Sequence, residues 1–302
     1  MANQENTPKG ERVRFEGLDS LAFQHPLDRE TTRNLKRLVG FDLVASKLME
    51  FQYERLFYVY NIASAVRVGP KQFPKLHEMM LESCAVLDMP EPELYVFQYP
   101  IVNAFTFGHT RPYIMLYTAL LELMTEEETM AIIAHELGHI KCGHVLYLEI
   151  ARWLKDLTTS IGEATLGIGR PIAMALYAAM LNWQRRAELS ADRASLLVMQ
   201  DARPVITTLT KLAGGTQRLA EQLDPDEFLK QARIYNEEMN NNLIDAFYKF
   251  IASSDLYRTH PFAVERVKEI DLWANGSEYA DILAGNYARG PRRVQIKVNA
   301  EA

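Results

Sequence analysis

The chain has 302 residues, a formal net charge of −6, and a composition that is 48% hydrophobic and 24% charged. That balance suits a soluble globular protein with a sizeable core, and its acidity excludes the basic face that a nucleic-acid partner would require. Two cysteines, Cys84 and Cys142, are too few for a disulfide framework and fit a reducing compartment, and the polar N-terminus speaks against secretion.

In chain order, residues 1–17 read as a flexible tail on composition. From Asp28 to Val68 the pattern is mostly helical and ends at Gly69-Pro70. Phe73 to Asp88 reads as an amphipathic helix, with Leu76, Met79, Met80 and Cys84 at helical spacing. The period then changes. Residues 93–97, 102–107 and 113–117 are rich in aromatic and β-branched side chains, with a turn at Gly108 to Pro112. They form the one convincing β signal. Thr125 with Glu128 has the form of a capping box and launches a helix into His135-Glu136-Leu137-Gly138-His139. Further helices are expected near 145–158, 172–200, 203–213, 226–252 and 261–274. The whole is an α+β arrangement, predominantly helical with one small sheet. It is expected to be a single domain over 18–302, with a helical part to about 70 and a catalytic core over about 72–275.

The chemistry lies in the helix at 135–139. Residues four apart on a helix leave the same face, so the imidazoles of His135 and His139 can meet one ion. Glu136 beside them is placed to take a proton from water. Zinc needs a third protein ligand and one open position. Glu188 is the best candidate, and Asp192 one turn later can hold the free N–H of a ligand histidine. Spacing alone leaves a second reading open, in which Glu188 and Asp192 form a solvated face paired with Arg185, Arg186 and Arg193. His144, five positions past His139, falls about 140° around a continuous helix and is expected to point elsewhere. Cys142 reads as a small core residue, and His25, His77 and His109 as structural or exposed.

These residues together resemble the HtpX-like and CAAX-prenyl-endopeptidase group of zinc metallopeptidases, of the gluzincin type. The resemblance rests on His135-Glu136-Leu137-Gly138-His139, Glu188 with Asp192, Asn103-Ala104-Phe105, and His260-Pro261 with Arg266. It implies a zincin-like domain, one zinc ion per chain held by His135, His139 and Glu188, and Glu136 as catalytic base. It further implies His260 as a donor to the oxyanion, Asp192 and Arg266 as braces of the site, and a strand at Asn103, Ala104 and Phe105 that pairs with extended substrate. For Phe105 a place in the core is equally compatible.

The implied function is a zinc metalloendopeptidase acting on protein or peptide substrates, with protein quality control as one setting. Many relatives are polytopic membrane enzymes, whereas no run in this chain reaches about 18 apolar residues. Pro171 to Leu181, the longest, reads as a buried helix. The resemblance therefore does not carry prenylated substrates or cleavage within the membrane over to this chain. A cytoplasmic place, with peripheral membrane contact left open, fits better. Two alternatives stand beside this reading: a zinc-binding regulatory or chaperone-like protein without turnover, and a metallohydrolase acting on a non-peptide bond. Oligomeric state is not legible.

Overall fold

The computed structural model describes residues 11–37, 53–152, 170–239 and 262–290. Within them the helices are α1 (Pro26–Lys36), α2 (Tyr53–Ser64), α3 (Pro74–Leu87), α4 (Thr118–Leu123), α5 (Glu126–Lys141), α6 (Arg170–Met199), α7 (Ala202–Gly214), α8 (Pro225–Met239), α9 (Ala263–Ala274) and α10 (Ser277–Leu283). A helical stretch at 145–152 follows α5. The strands are β1 (Val66–Arg67), β2 (Glu93–Phe97), β3 (Ala104–Phe107) and β4 (Tyr113–Tyr117). This is the mainly helical α+β arrangement with one small sheet that the sequence implies.

The sheet runs β1-β2-β4-β3. β2 and β4 are parallel, while β1 with β2 and β3 with β4 are antiparallel. The β3–β4 turn needs Gly108, at φ +85°, because a Cβ there would lie 2.3 Å from the carbonyl oxygen of Arg111. β3 is an edge strand, pairing only with β4 among the described residues. Its period of two sends Phe105 and Phe107 into an aromatic cluster with Tyr95, Tyr113 and Tyr117. Ala104 and Thr106 leave by the opposite face, towards α5.

α5 starts at the expected capping box: Thr125 Oγ1 accepts from the Glu128 N–H, and the Glu128 carboxylate accepts from the Thr125 N–H. Ile133, Ala134 and Leu137 are fully buried in the main core, each large side chain contributing roughly 1.5–3 kcal/mol. α5 packs most extensively against α6. At their crossing a Cβ on Gly138 would fall 2.7 Å from Ala194 Cβ and 2.9 Å from Ala191 Cα. The absent side chain lets the two backbones approach.

Several expectations change. Residues 11–17, read as part of the tail, are packed: Phe15 is fully buried, its N–H donates to Val86 O, and Val13 exchanges two hydrogen bonds with the Gln200 side chain. A buried Phe ties down a segment whose composition is otherwise polar. β1, a two-residue strand, carried too little pattern to be predicted. β3 begins at Ala104, so Asn103 lies just before it and accepts the Tyr117 N–H through its carbonyl. The stretch Pro171 to Leu181 is the first third of α6; Tyr177, Met180 and Leu181 are buried in a cluster with Leu35, Leu148, Ile150 and Trp183. Among the described residues no helix is long and apolar enough to cross a membrane. Parts of the predicted helices at 28–68, 145–158 and 226–252 lie outside the described residues.

Candidate active site

Gly138 lets the C-terminal part of α5 approach α6 closely at Ala191 and Ala194, and so sets Glu188 opposite His135 and His139. Their Nε2 atoms are 3.2 Å apart. Glu188 Oε2 lies 3.3 Å from His135 Nε2, and Oε1 lies 3.5 Å from His139 Nε2. Both carboxylates on α6 are inside, with Glu188 1% and Asp192 2% exposed. That burial removes the reading of a solvated face. Arg193, expected beside them on that face, turns away to Phe23 O and Glu278 and lies over the Trp273 ring.

His135 Nδ1 donates to Asp192 Oδ1 at 2.9 Å. Arg266, from α9, grips the same carboxylate with both arms: Nε donates to Oδ2 at 2.8 Å and Nη2 to Oδ1 at 2.6 Å. Bidentate pairing of this kind fixes orientation as well as charge. Burial alone would raise the Asp192 pKa, but the charge and hydrogen bonds of Arg266 reverse it, holding the carboxylate ionised below the usual range. Burial works against charge on His135 too, yet the hydrogen bonds and charges of Asp192 and Glu188 outweigh it and lift its pKa to about 10. For His139 burial wins, and its pKa is lowered.

A divalent metal fits this donor set. His135 Nε2, His139 Nε2 and a Glu188 oxygen all lie within 4.8 Å of one another. Both Nδ1 atoms are engaged elsewhere, so the two Nε2 atoms are the ones that face the carboxylate and, once a cation displaces their protons, can bind it. Two nitrogens and one oxygen leave a position open.

Glu136 projects from the same turn, 6% exposed. Its Oε2 accepts a 2.6 Å hydrogen bond from Thr106 Oγ1 on β3. Thr106 was absent from the sequence reading, although alternation from Ala104 places it on the same face of the strand. A cavity of about 620 Å³ opens beside these groups. Asn103 and Ala104 line it, with His135, Glu136 and Glu188; Phe105 does not, since it faces the aromatic cluster with the Arg152 guanidinium 5.4 Å from its ring centre. His260 lies outside the described residues.

Residues 70–274 match peptidase family M48. The chain belongs to that family. It is 38% identical over 272 residues to the plastoglobule-localized metallopeptidase 48, chloroplastic, of Arabidopsis thaliana, covering 89% of this chain and 77% of the relative. It is 24% identical over 226 residues to protease HtpX homolog 2 of Methanosarcina acetivorans, covering 68% and 74%. With the protease HtpX homolog of Moorella thermoacetica it shares 25% over 232 residues, covering 67% and 73%. The protein is a metallopeptidase, with the zincin-like fold of family M48.

One expectation is corrected within the M48 site. His144 does not point away from it. α5 ends at Lys141, and Gly143 at φ +72° turns the chain, so helical arithmetic does not carry to residue 144. The His144 ring comes back against His139, with the two Nδ1 atoms 3.1 Å apart. Its Nε2 donates to Asp28 Oδ2 on α1 at 3.0 Å. Cys142, by contrast, caps α5 and packs against the main core, as expected; burial pushes its thiol pKa well up.

Proposed function

We propose that this M48 metallopeptidase is a zinc-dependent endopeptidase, with the metal held by His135, His139 and Glu188 and with Glu136 as general base. The observation that carries the reading is the convergence of two Nε2 atoms and a buried carboxylate beside a second carboxylate that faces an open cavity. Zinc in such a site acts as a Lewis acid, activating water and polarising a carbonyl. The chain's own groups do the rest. Glu136 takes the proton as water attacks the scissile carbonyl and returns it to the leaving amine; Thr106 aims the carboxylate. Asp192 and Arg266 hold the His135 ring. The edge of β3, with Asn103 and Ala104 beside the cleft, offers backbone groups to an extended peptide. The role of His260 as oxyanion donor rests on the family resemblance alone.

A single catalytic unit is part of this proposal. One core cluster joins residues from Phe15 to Ile282 and supports it. As for place, we favour peripheral association over free residence in the cytoplasm. The reasons are the plastoglobule localisation in the name of one relative and the exposed apolar side chains Leu56, Val59, Tyr60 and Ile62 on α2. Co-sedimentation with lipid vesicles, absent when Leu56 and Tyr60 are changed to Ser, is the check.

One wall of the cavity supports a preference for apolar side chains in the substrate. Leu120, Ile132, Val205, Leu209 and Phe228 line it. The hydroxyls of Ser195 and Thr208 are spent on Ala131 O and Pro204 O. Such a wall accepts an apolar side chain and penalises a charged one. Quenched fluorescent peptides with Leu or Phe next to the scissile bond are expected to be cleaved at least about tenfold faster than Asp or Lys counterparts. Equal rates would remove the apolar subsite.

The reading as a whole is tested with unfolded casein. Cleavage is expected to stop with a chelator and return with zinc. Bound zinc without cleavage would favour the regulatory alternative, and hydrolysis of non-peptide esters alone the other.

A further inference from the structure

The two ligand histidines are braced in different ways. His135 reaches its carboxylate directly, and the charge of Asp192 is matched by Arg266. Among the described residues, no carboxylate meets His139 at its Nδ1. The ring meets another imidazole, His144, and only beyond that a carboxylate, Asp28.

The ends of this chain of contacts dictate its middle. Asp28 is 0% exposed. Its Oδ2 accepts from Ser190 Oγ at 2.6 Å and Gln24 Nε2 at 2.8 Å, and its Oδ1 from Thr32 Oγ1 at 3.0 Å. Those donors are neutral. The hydrogen bonds from Ser190, Gln24 and Thr32 stabilise its ionised form inside the protein. An ionised carboxylate only accepts, so the group facing it, His144 Nε2, must carry a hydrogen. His144 must be neutral if His139 is to bind metal through Nε2, and a neutral His144 with its hydrogen on Nε2 has a lone pair on the other nitrogen, Nδ1. That lone pair faces His139 Nδ1 at 3.1 Å, which must therefore carry a hydrogen. His139 Nε2, the atom turned to His135 and Glu188, is left with its lone pair.

We propose that Asp28, acting through His144, is a positioning residue that sets the His139 ring in its metal-binding tautomer. This goes one step outside the site and rests on the reading of His139 as a ligand through Nε2. It also gives α1 a purpose: Asp28 lies outside the residues 70–274 that match the family. The helix is held in place for it. The N–H of His25 donates to Ser190 Oγ at 2.9 Å, the same hydroxyl that serves Asp28, and Trp183 Nε1 donates to Thr32 Oγ1 at 2.8 Å. The His144 ring is fixed edge-on to Trp183, with centres 5.6 Å apart. Both ligand rings thus receive the same instruction, one from Asp192 in a single step and one from Asp28 in two.

The direct experiment uses the full chain loaded with zinc and labelled with nitrogen-15 in histidine. Long-range nitrogen–proton correlation spectra report which ring nitrogen carries hydrogen. The expected result is His139 protonated at Nδ1 with Nε2 shifted by metal, and His144 protonated at Nε2. A metal-shifted His139 beside a His144 protonated at Nδ1 or at both nitrogens would overturn the relay while leaving the ligand assignment intact. A His139 without a metal-shifted nitrogen would overturn both. In a second arm, Asp28→Asn is titrated with zinc against a competing chelator, and affinity is expected to fall about 10- to 100-fold. His144→Phe, which keeps a ring against Trp183, is expected to fall by a similar factor. Affinity within twofold of the parent in either folded variant would overturn the proposal.

Discussion

Glu136→Gln is expected to bind zinc as the parent does and to lose roughly 10³-fold in kcat/KM, within the 10²- to 10⁴-fold range of general acid–base catalysis. The side chains have the same shape. Glu136 Oε2 accepts from Thr106 Oγ1 at 2.6 Å, and the amide oxygen of Gln can take that hydrogen bond unchanged. The proposed metal donors are His135, His139 and Glu188, and the distances that bring them together, 3.2 to 3.5 Å, do not involve the Glu136 carboxylate. What disappears is the ability to take a proton from water. Metal content by mass spectrometry, together with peptide cleavage, separates the two effects. Parental turnover by a fully metal-loaded Glu136→Gln protein would remove Glu136 from the mechanism. Loss of metal along with activity would mean that the carboxylate holds the ion rather than a proton.

The sequence made the elements of this site legible to different degrees, for physical reasons. α5 could be read because a capping box, an apolar run and two histidines at i and i+4 agree. Glu188 and Asp192 were ambiguous by spacing, because arginines flank them in sequence. Burial resolved the matter by separating what sequence places side by side: Arg193 turns to Glu278, while Arg266 arrives from α9 to hold Asp192. Thr106 was available in the two-residue alternation of β3. His144 was misread because a helical wheel was extended past Gly143, whose position just after the motif is itself a stop signal. Asp28 had no signal at all. It is 116 residues from His144 and sits in a helix whose pattern is ordinary. Contacts of that range depend on how α1 is laid across α6, which a one-dimensional pattern does not encode.

Gly138→Ala is expected to damage the site without touching any functional group. A single methyl there meets Ala194 Cβ at 2.7 Å and Ala191 Cα at 2.9 Å. Neither neighbour can swing aside, one being a Cβ fixed to its backbone and the other the backbone itself, and both residues are fully buried. The helices must part or slide by a few tenths of an ångström to an ångström, and overpacking of this kind costs about 1–3 kcal/mol. The chemical cost is larger, because the crossing that Gly138 permits is what sets Glu188 against the Nε2 atoms of His135 and His139, at 3.3 and 3.5 Å. Asp192 rides on the same helix, so its grip on His135 moves too. A displacement near 1 Å can lower a rate about 10²-fold, and zinc affinity is expected to fall with it. The measurement pairs thermal unfolding of the metal-free protein with a competitive zinc titration. A lowered midpoint with parental zinc affinity would show that the two helices carry the donors independently of their spacing. A parental midpoint with parental affinity would show that the close approach at Gly138 is not needed at all. The glycine in the middle of the metal motif therefore belongs to the packing of α5 on α6, and only through that packing to the chemistry.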